Sequence, residues 1–311
     1  MPTVCRLRWV FLWFKLLMEN GNILTDKEKN IGGDFKKTIY PYILLKFARY
    51  FKRSMAEKPL ILVTNDDGIS SKGIKALIEV ASEFGDLLIV APDKPQSGMG
   101  HAITVNNIIR VDESGLYPKF EAYSCTGTPV DCIKVARHLL KDSVPDLVVS
   151  GINHGANTGI SVLYSGTMSA AVEGAIERIP SVGFSLDSFD AKADFEGSKE
   201  VARTIIQKML SSLSNLPQDL CLNVNIPAVS ARELQGIKVC RAAKAYWKDE
   251  LTERIDQHGR KYYWLAGEFE NNDLGKDTDL YALQNNYASV VPVHFDMTAY
   301  HWISEINNWD L

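Results

Sequence analysis

Pro59-Leu60-Ile61-Leu62-Val63-Thr64-Asn65-Asp66-Asp67-Gly68, residues 59–68, sets an unbroken apolar run directly before an acidic turn ending in glycine. An apolar run without polar alternation is the pattern of a strand covered on both faces, as in a parallel sheet flanked by helices. Residues 72–84 then place Ile74, Leu77, Val80, Ala81 and Phe84 at helical spacing, and Asp86–Ala91 resumes as a second strand. Strand, helix and strand make one βαβ unit, with the acidic turn at the first strand's carboxyl end.

The pattern repeats outward from there. Pro92–Gly100, dense in Gly and Pro, is a loop leaving the second strand, and it carries Ser97 between Gln96 and Gly98. Asp146–Ser150 reads as a third buried strand, released into the polar loop Gly151–Gly159 with Asn153, His154 and Asn157. Thr128-Pro129-Val130-Asp131 supplies a hydroxyl cap, a proline and an acid, so a helix is expected over 129–140. Tyr164-Ser165-Gly166-Thr167 opens a further helix. In open α/β sheets ligands bind outside the carboxyl ends of the strands, so the three polar loops should converge on one crevice. The expected fold is a three-layer, Rossmann-like α/β domain with a mainly parallel sheet.

After residue 220 short strand patterns fall at 221–226, 236–241 and 261–266, with a turn at Gln257-His258-Gly259-Arg260. A projecting hairpin arm is expected over about 236–268 and a C-terminal tail over about 285–311. The aromatic residues Tyr246, Trp247, Tyr262, Tyr263 and Trp264 suggest that the arm packs against another subunit, making the protein a homo-oligomer.

The chain has 311 residues, 46% hydrophobic and 23% charged, with a net charge of −4, which excludes disorder, coiled coil and an overall field that draws polymeric nucleic acid. Five cysteines without a C-x-x-C pair fit a reducing, cytoplasmic setting. Residues 1–54 hold eleven Lys/Arg against four Asp/Glu, a basic segment before an acidic remainder. Its apolar stretch Val10–Met18 is interrupted by Lys15 and is far short of the ~20 residues of a spanning helix, so no stable membrane insertion is expected. Tyr40–Arg53 interleaves aromatic and basic residues, the composition of a membrane-surface segment. Met55 stands just before the first strand pattern, so residues 1–54 are read as a dispensable extension and 55–311 as the working domain.

Two adjacent carboxylates at one strand end repel unless a cation or proton lies between them. Asp66, Asp67, the Ser97 hydroxyl and the Asn153 amide carbonyl would form an all-oxygen set suited to a hard divalent ion, Mg2+ or Mn2+, and unsuited to structural zinc. Such an ion would keep open coordination positions. The amides around Ser165, Gly166 and Thr167 could hold an anion. His101 and His154 lie in or beside these loops as candidate proton donors or substrate contacts.

On Val63-Thr64-Asn65-Asp66-Asp67-Gly68, Ala91-Pro92-Asp93 with Gln96-Ser97-Gly98, Ser150-Gly151-Ile152-Asn153 with Gly155 and Asn157, and Tyr164-Ser165-Gly166-Thr167, the chain resembles the SurE family of stationary-phase survival proteins. The resemblance runs from about Met55 to Thr298. It implies metal-dependent hydrolysis of nucleoside 5′-monophosphates, with 3′-monophosphates and short polyphosphate as further substrates, and assembly into dimers or tetramers. It implies Asp66, Asp67, Ser97 and Asn153 as the metal ligands, and the substrate's phosphate as the anion held around Ser165, Gly166 and Thr167, with Asn157 as a further donor. Met168 stands where the family usually has valine, and Asn285-Asn286 replaces a stretch usually containing glycine. Asn tolerates positive φ, so Asn286 is expected to keep the turn.

Two other readings compete with this one. A metal-dependent amide hydrolase would need histidine ligands, and here the Asp pair is followed by Gly68, with neither histidine at a ligand spacing. A non-catalytic nucleotide-binding regulatory module would keep the crevice without turnover.

Overall fold

The computed structural model describes residues 58–310; the basic segment 1–54 and its candidate membrane-surface stretch lie outside the described residues. The first βαβ unit forms where the sequence places it, as β1 (Leu60–Thr64), α1 (Lys72–Ala81) and β2 (Asp86–Pro92). The Ser71 side chain accepts the Ile74 N–H to start α1, which ends three residues short of the expected Phe84. There follow β3 (Val111–Glu113), β4 (Glu121–Cys125), α2 (Pro129–Leu140) and β5 (Leu147–His154). Then come α3 (Gly166–Ile176), β6 (Ser181–Asp187), α4 (Glu196–Ser212), β7 (Cys221–Pro227) and β8 (Gly236–Val239). The chain closes with β9 (Ala245–Ile255), β10 (Lys261–Asn271), α5 (Asp279–Gln284), β11 (Tyr287–Val293) and α6 (Tyr300–Ile306).

Nine strands make one sheet in the order β3-β4-β2-β1-β5-β6-β7-β11-β8, with antiparallel pairing confined to β3–β4 and β7–β11. From β1 the chain winds outward through β2 and β4, returns to β5 on the other side of β1, and continues through β6 and β7. The direction of winding reverses between β1 and β5, the position at which open α/β sheets bind their ligands.

Alternate residues of these buried strands face opposite layers. Ile61, Val63 and Ile89 pack with Ile74 and Leu77 of α1 and Val201 and Ile206 of α4. Leu62, Leu88 and Val148 pack with Ile133 and Ala136 of α2 and Ala170 of α3. Each such burial contributes on the order of 1.5–3 kcal/mol, and helices on both faces explain why the strands read as continuous apolar runs.

Three expectations are corrected. β5 does not stop at Ser150 but runs to His154 through a register shift against β6 between Ser150 and Asn153, so Asn153 lies on the strand's end instead of in the following loop. Gly236–Val239 belongs to the main sheet, beside β11, so the two-stranded arm is β9–β10 alone, turning at Asp256–Arg260. The expected tail contains β11, a strand paired to both β7 and β8, so residues 287–293 are sheet interior. The remaining C-terminal chain includes the exposed helix α6.

Candidate active site

Thr64, the last residue of β1, lies opposite Ser150 of β5, so Asp66 and Asp67 leave one strand where Asn153 ends its neighbour. Three ties close this arrangement. The Asp67 carboxylate accepts the His154 N–H at 3.3 Å, joining the two strand ends. The Asp66 carbonyl accepts the Gln96 N–H at 2.8 Å, which fixes the chain next to Ser97 against the acidic turn. The Gly100 N–H donates to the Tyr164 carbonyl at 3.2 Å, pinning the far end of the Ser97 loop to the entry of α3.

Asp66 is buried, and lost hydration pushes its carboxyl up to about 6; the Thr167 hydroxyl works against the shift and the Asp67 charge adds to it. Asp67 is half-buried and is also raised, first by desolvation, against the His154 N–H. No Lys or Arg among the described residues forms a hydrogen bond or ion pair with either carboxylate. The Asn153 amide nitrogen is spent on the Gly155 carbonyl at 2.7 Å, which leaves its carbonyl oxygen as the free end. Ser97 is exposed on its loop. Two carboxylates, an amide oxygen and a hydroxyl, without a cationic side chain to balance them, fit a hard divalent ion. Among the described residues no cluster of three His, Cys, Asp or Glu forms an alternative site.

The N-terminus of α3 abuts the acidic turn. Ser165 caps the helix by accepting the Met168 N–H at 3.1 Å. Gly166 is pressed on Asp66: a Cβ there would lie 2.7 Å from Asp66 Cβ. Thr167 gives its hydroxyl to Asp66, and its N–H also favours the Asp66 anion. The expected phosphate contacts around Ser165-Gly166-Thr167 are backbone N–H groups; the Thr167 hydroxyl is taken up by the Asp66 carboxylate.

Asn157 is buried with an amide N–H on Ser185 Oγ at 2.8 Å, while its backbone bonds to Asn225 and Asn223. These bonds tie the loop after β5 to β6 and β7. His101 reaches Glu173 of α3 at 2.9 Å, and the same buried carboxylate pairs with Lys134 of α2. Burial would raise Glu173, but the hydrogen bonds from His101 and Lys134 outweigh it and hold the group below the ordinary range. His101 thus ties the end of the Ser97 loop to α3 through Glu173. The His154 ring stacks on Phe195, with centroids 5.2 Å apart.

Sequence reasoning missed Glu173, Asn223 and Asn225. The last two were detectable as polar residues at period two inside the buried strand β7. Glu173 carried no local signal, because its partners come from other elements.

A family model described as Survival protein SurE matches residues 61–249. The 5′-nucleotidase SurE of Cytophaga hutchinsonii is 55% identical over 251 residues, covering 80% of this chain and 96% of that protein. The 5′-nucleotidase SurE of Flavobacterium psychrophilum is 54% identical, covering 82% and 98%. The crystal structure of the SurE protein from Aquifex aeolicus superposes with a TM-score of 0.69 at 39% identity, over 80% of this chain and 98% of that one.

Proposed function

Since the chain belongs to the Survival protein SurE family, we infer that it is a 5′-nucleotidase, hydrolysing nucleoside 5′-monophosphates to nucleoside and phosphate. The observation that carries this reading is the twin carboxylate at the sheet's switch point, with the Asn153 carbonyl and the Ser97 loop drawn to the same edge. Asp66, Asp67, Ser97 and Asn153 would hold one Mg2+ or Mn2+ ion. Such an ion supplies Lewis-acid polarisation of the phosphoryl group and acidifies water.

The rest is done by the chain itself. Asp67, the more open carboxylate, orients the attacking water and takes its proton. The Ser165–Gly166 entry of α3 faces the same acidic turn, and its free N–H groups bind the phosphate oxygens. Thr167 holds Asp66 in place, Asn157 supports the loop that follows Asn153, and His101 anchors the loop that carries Ser97. Nucleoside 3′-monophosphates and short polyphosphate present the same terminal phosphoryl group and belong to the proposal.

The protein is further proposed to be cytoplasmic and homo-oligomeric, with the aromatic arm as its contact. Its described cysteines are free, and no described helix is long and apolar enough to cross a membrane. Residues 1–54 are proposed to be dispensable, which the relatives support by matching about four-fifths of this chain with almost their whole length.

Phosphate release tests the activity. Nucleoside 5′-monophosphates should be turned over with Mg2+ or Mn2+ and not after chelation, and Asp67→Asn should lower kcat by roughly 100-fold or more, in the range of lost acid–base catalysis. An Asp67→Asn enzyme at full metal-dependent rate refutes the role of that charge. Nucleotide binding without phosphate release in the presence of either ion would favour the regulatory module.

A further inference from the structure

Phe189 follows β6 at the carboxyl edge of the sheet, and at 84% exposure it is among the barest large side chains of the domain. Isolated exposed apolar residues are common on proteins. This ring differs in what it rests on. Gly155 is two residues beyond Asn153, at most about 7 Å of chain, and its carbonyl is the group that holds the Asn153 amide. A Cβ on Gly155 would lie 2.4 Å from Phe189 Cε1 and 2.7 Å from Cζ. The ring edge therefore sits directly on the backbone that positions a proposed ligand, in space that glycine alone leaves free; Gly155 also has φ +97°, which disfavours any side chain there. Residues on either side of Phe189 line a cavity of about 390 Å³, with Ser188, Asp190, Asp194 and Ser230 among its walls. That volume is within the range of small-ligand sites, and the walls supply hydroxyl and carboxylate partners for polar groups.

We propose that Phe189 is the platform on which the substrate's nucleobase stacks, making it a specificity-determining residue of the site. The inference rests on the nucleotidase reading for its ligand and on the Gly155–Phe189 juxtaposition for its place. The Asp67–His154 bond and the Asn153–Gly155 bond connect the acidic turn to the strand end on which Phe189 rests, so a nucleotide with its phosphate at that turn would carry its base toward this ring. Stacking on an aromatic face accepts every base, because each has a π-face, and it favours purines through their larger area.

Calorimetric titration of the full chain with adenosine, and separately with inorganic phosphate, tests the platform without requiring turnover. Phe189→Ala should weaken adenosine binding by roughly 5- to 150-fold, the range that base–aromatic stacking supplies, while phosphate binding stays within about twofold; Phe189→Trp should restore adenosine affinity. In steady state Phe189→Ala should raise KM for adenosine 5′-monophosphate by a larger factor than KM for ribose 5-phosphate, which carries the same phosphate and no base. Wild-type protein that fails to bind adenosine, a Phe189→Ala variant that binds it as wild type, or equal losses toward adenosine and phosphate would each overturn the proposal. If nucleotides are not hydrolysed but Phe189→Ala still loses adenosine, the nucleotidase reading fails and the nucleoside platform stands.

Discussion

Asp66 carries a carboxyl raised to about 6 from 3.8, first by burial, and that change couples folding to pH. The folded chain binds this proton more tightly than the unfolded chain does, so the group's stabilising contribution is full below about pH 3.8 and is lost as pH rises through about 6. For metal-free protein the loss is roughly 3 kcal/mol, since each tenfold gain in proton affinity is worth ~1.4 kcal/mol. Urea unfolding of wild type and Asp66→Asn should show it: the stability of wild type relative to the variant falls by about that amount between about pH 4 and pH 7. At neutral pH a divalent ion should stabilise wild type and have a much weaker effect on the variant. Among single residues, the acidic turn after β1 and the turn at Asn286 were legible in sequence, and Asn286 does adopt positive φ, at 60°. The role of Thr167 was not, because a hydroxyl at a helix entry serves equally as a cap, a phosphate contact or a carboxylate clamp. Only the direction in which α3 approaches Asp66 decides among them.

Elements were readable where their signals were local. α2 spans Pro129–Leu140 as expected because Thr128 and Asp131 form a reciprocal capping box that fixes its first turn. β5 overruns its expected end because Gly151, a residue type that commonly closes a strand, here only interrupts the pairing, which resumes with β6 at Asn153 after a shift of register. The contact of α3 with β1's turn gives a test at this scale. Gly166→Ala favours the helix intrinsically, yet its Cβ would press on Asp66 at 2.7 Å. Phosphate release should therefore drop by at least about 10-fold, the order expected when a catalytic group is displaced by a fraction of an ångström, while circular dichroism and the folded yield stay near wild type. Unchanged activity in Gly166→Ala would mean that the close approach does not position the carboxylate.

On the scale of the molecule, the arm is a two-stranded ribbon, and isolated hairpins are at best marginally stable in water. Tyr263, Trp264 and Leu265 on β10 are 54%, 65% and 70% exposed, and this apolar surface is what the proposed contact between copies rests on. Replacing Trp264 and Leu265 together by Glu should shift sedimentation toward a smaller species. Deleting residues 1–54 should leave turnover per chain within about twofold and the sedimentation of the assembly unchanged apart from the lost mass, because the proposed site and arm lie downstream.

Sequence by itself determined the alternation of strands and helices, the polar loops at strand ends and the acidic pair, because apolar periodicity, caps and turn residues act within a few positions of one another. Tertiary structure decided which side chains meet. Thr167 finds Asp66 across 101 positions, and His101 finds Glu173 across 72, through the order in which β1, β5 and the helices are laid side by side. It also placed β11 inside the sheet and Phe189 on Gly155, since burial and close approach are properties of neighbours in space, which periodicity along the chain does not specify.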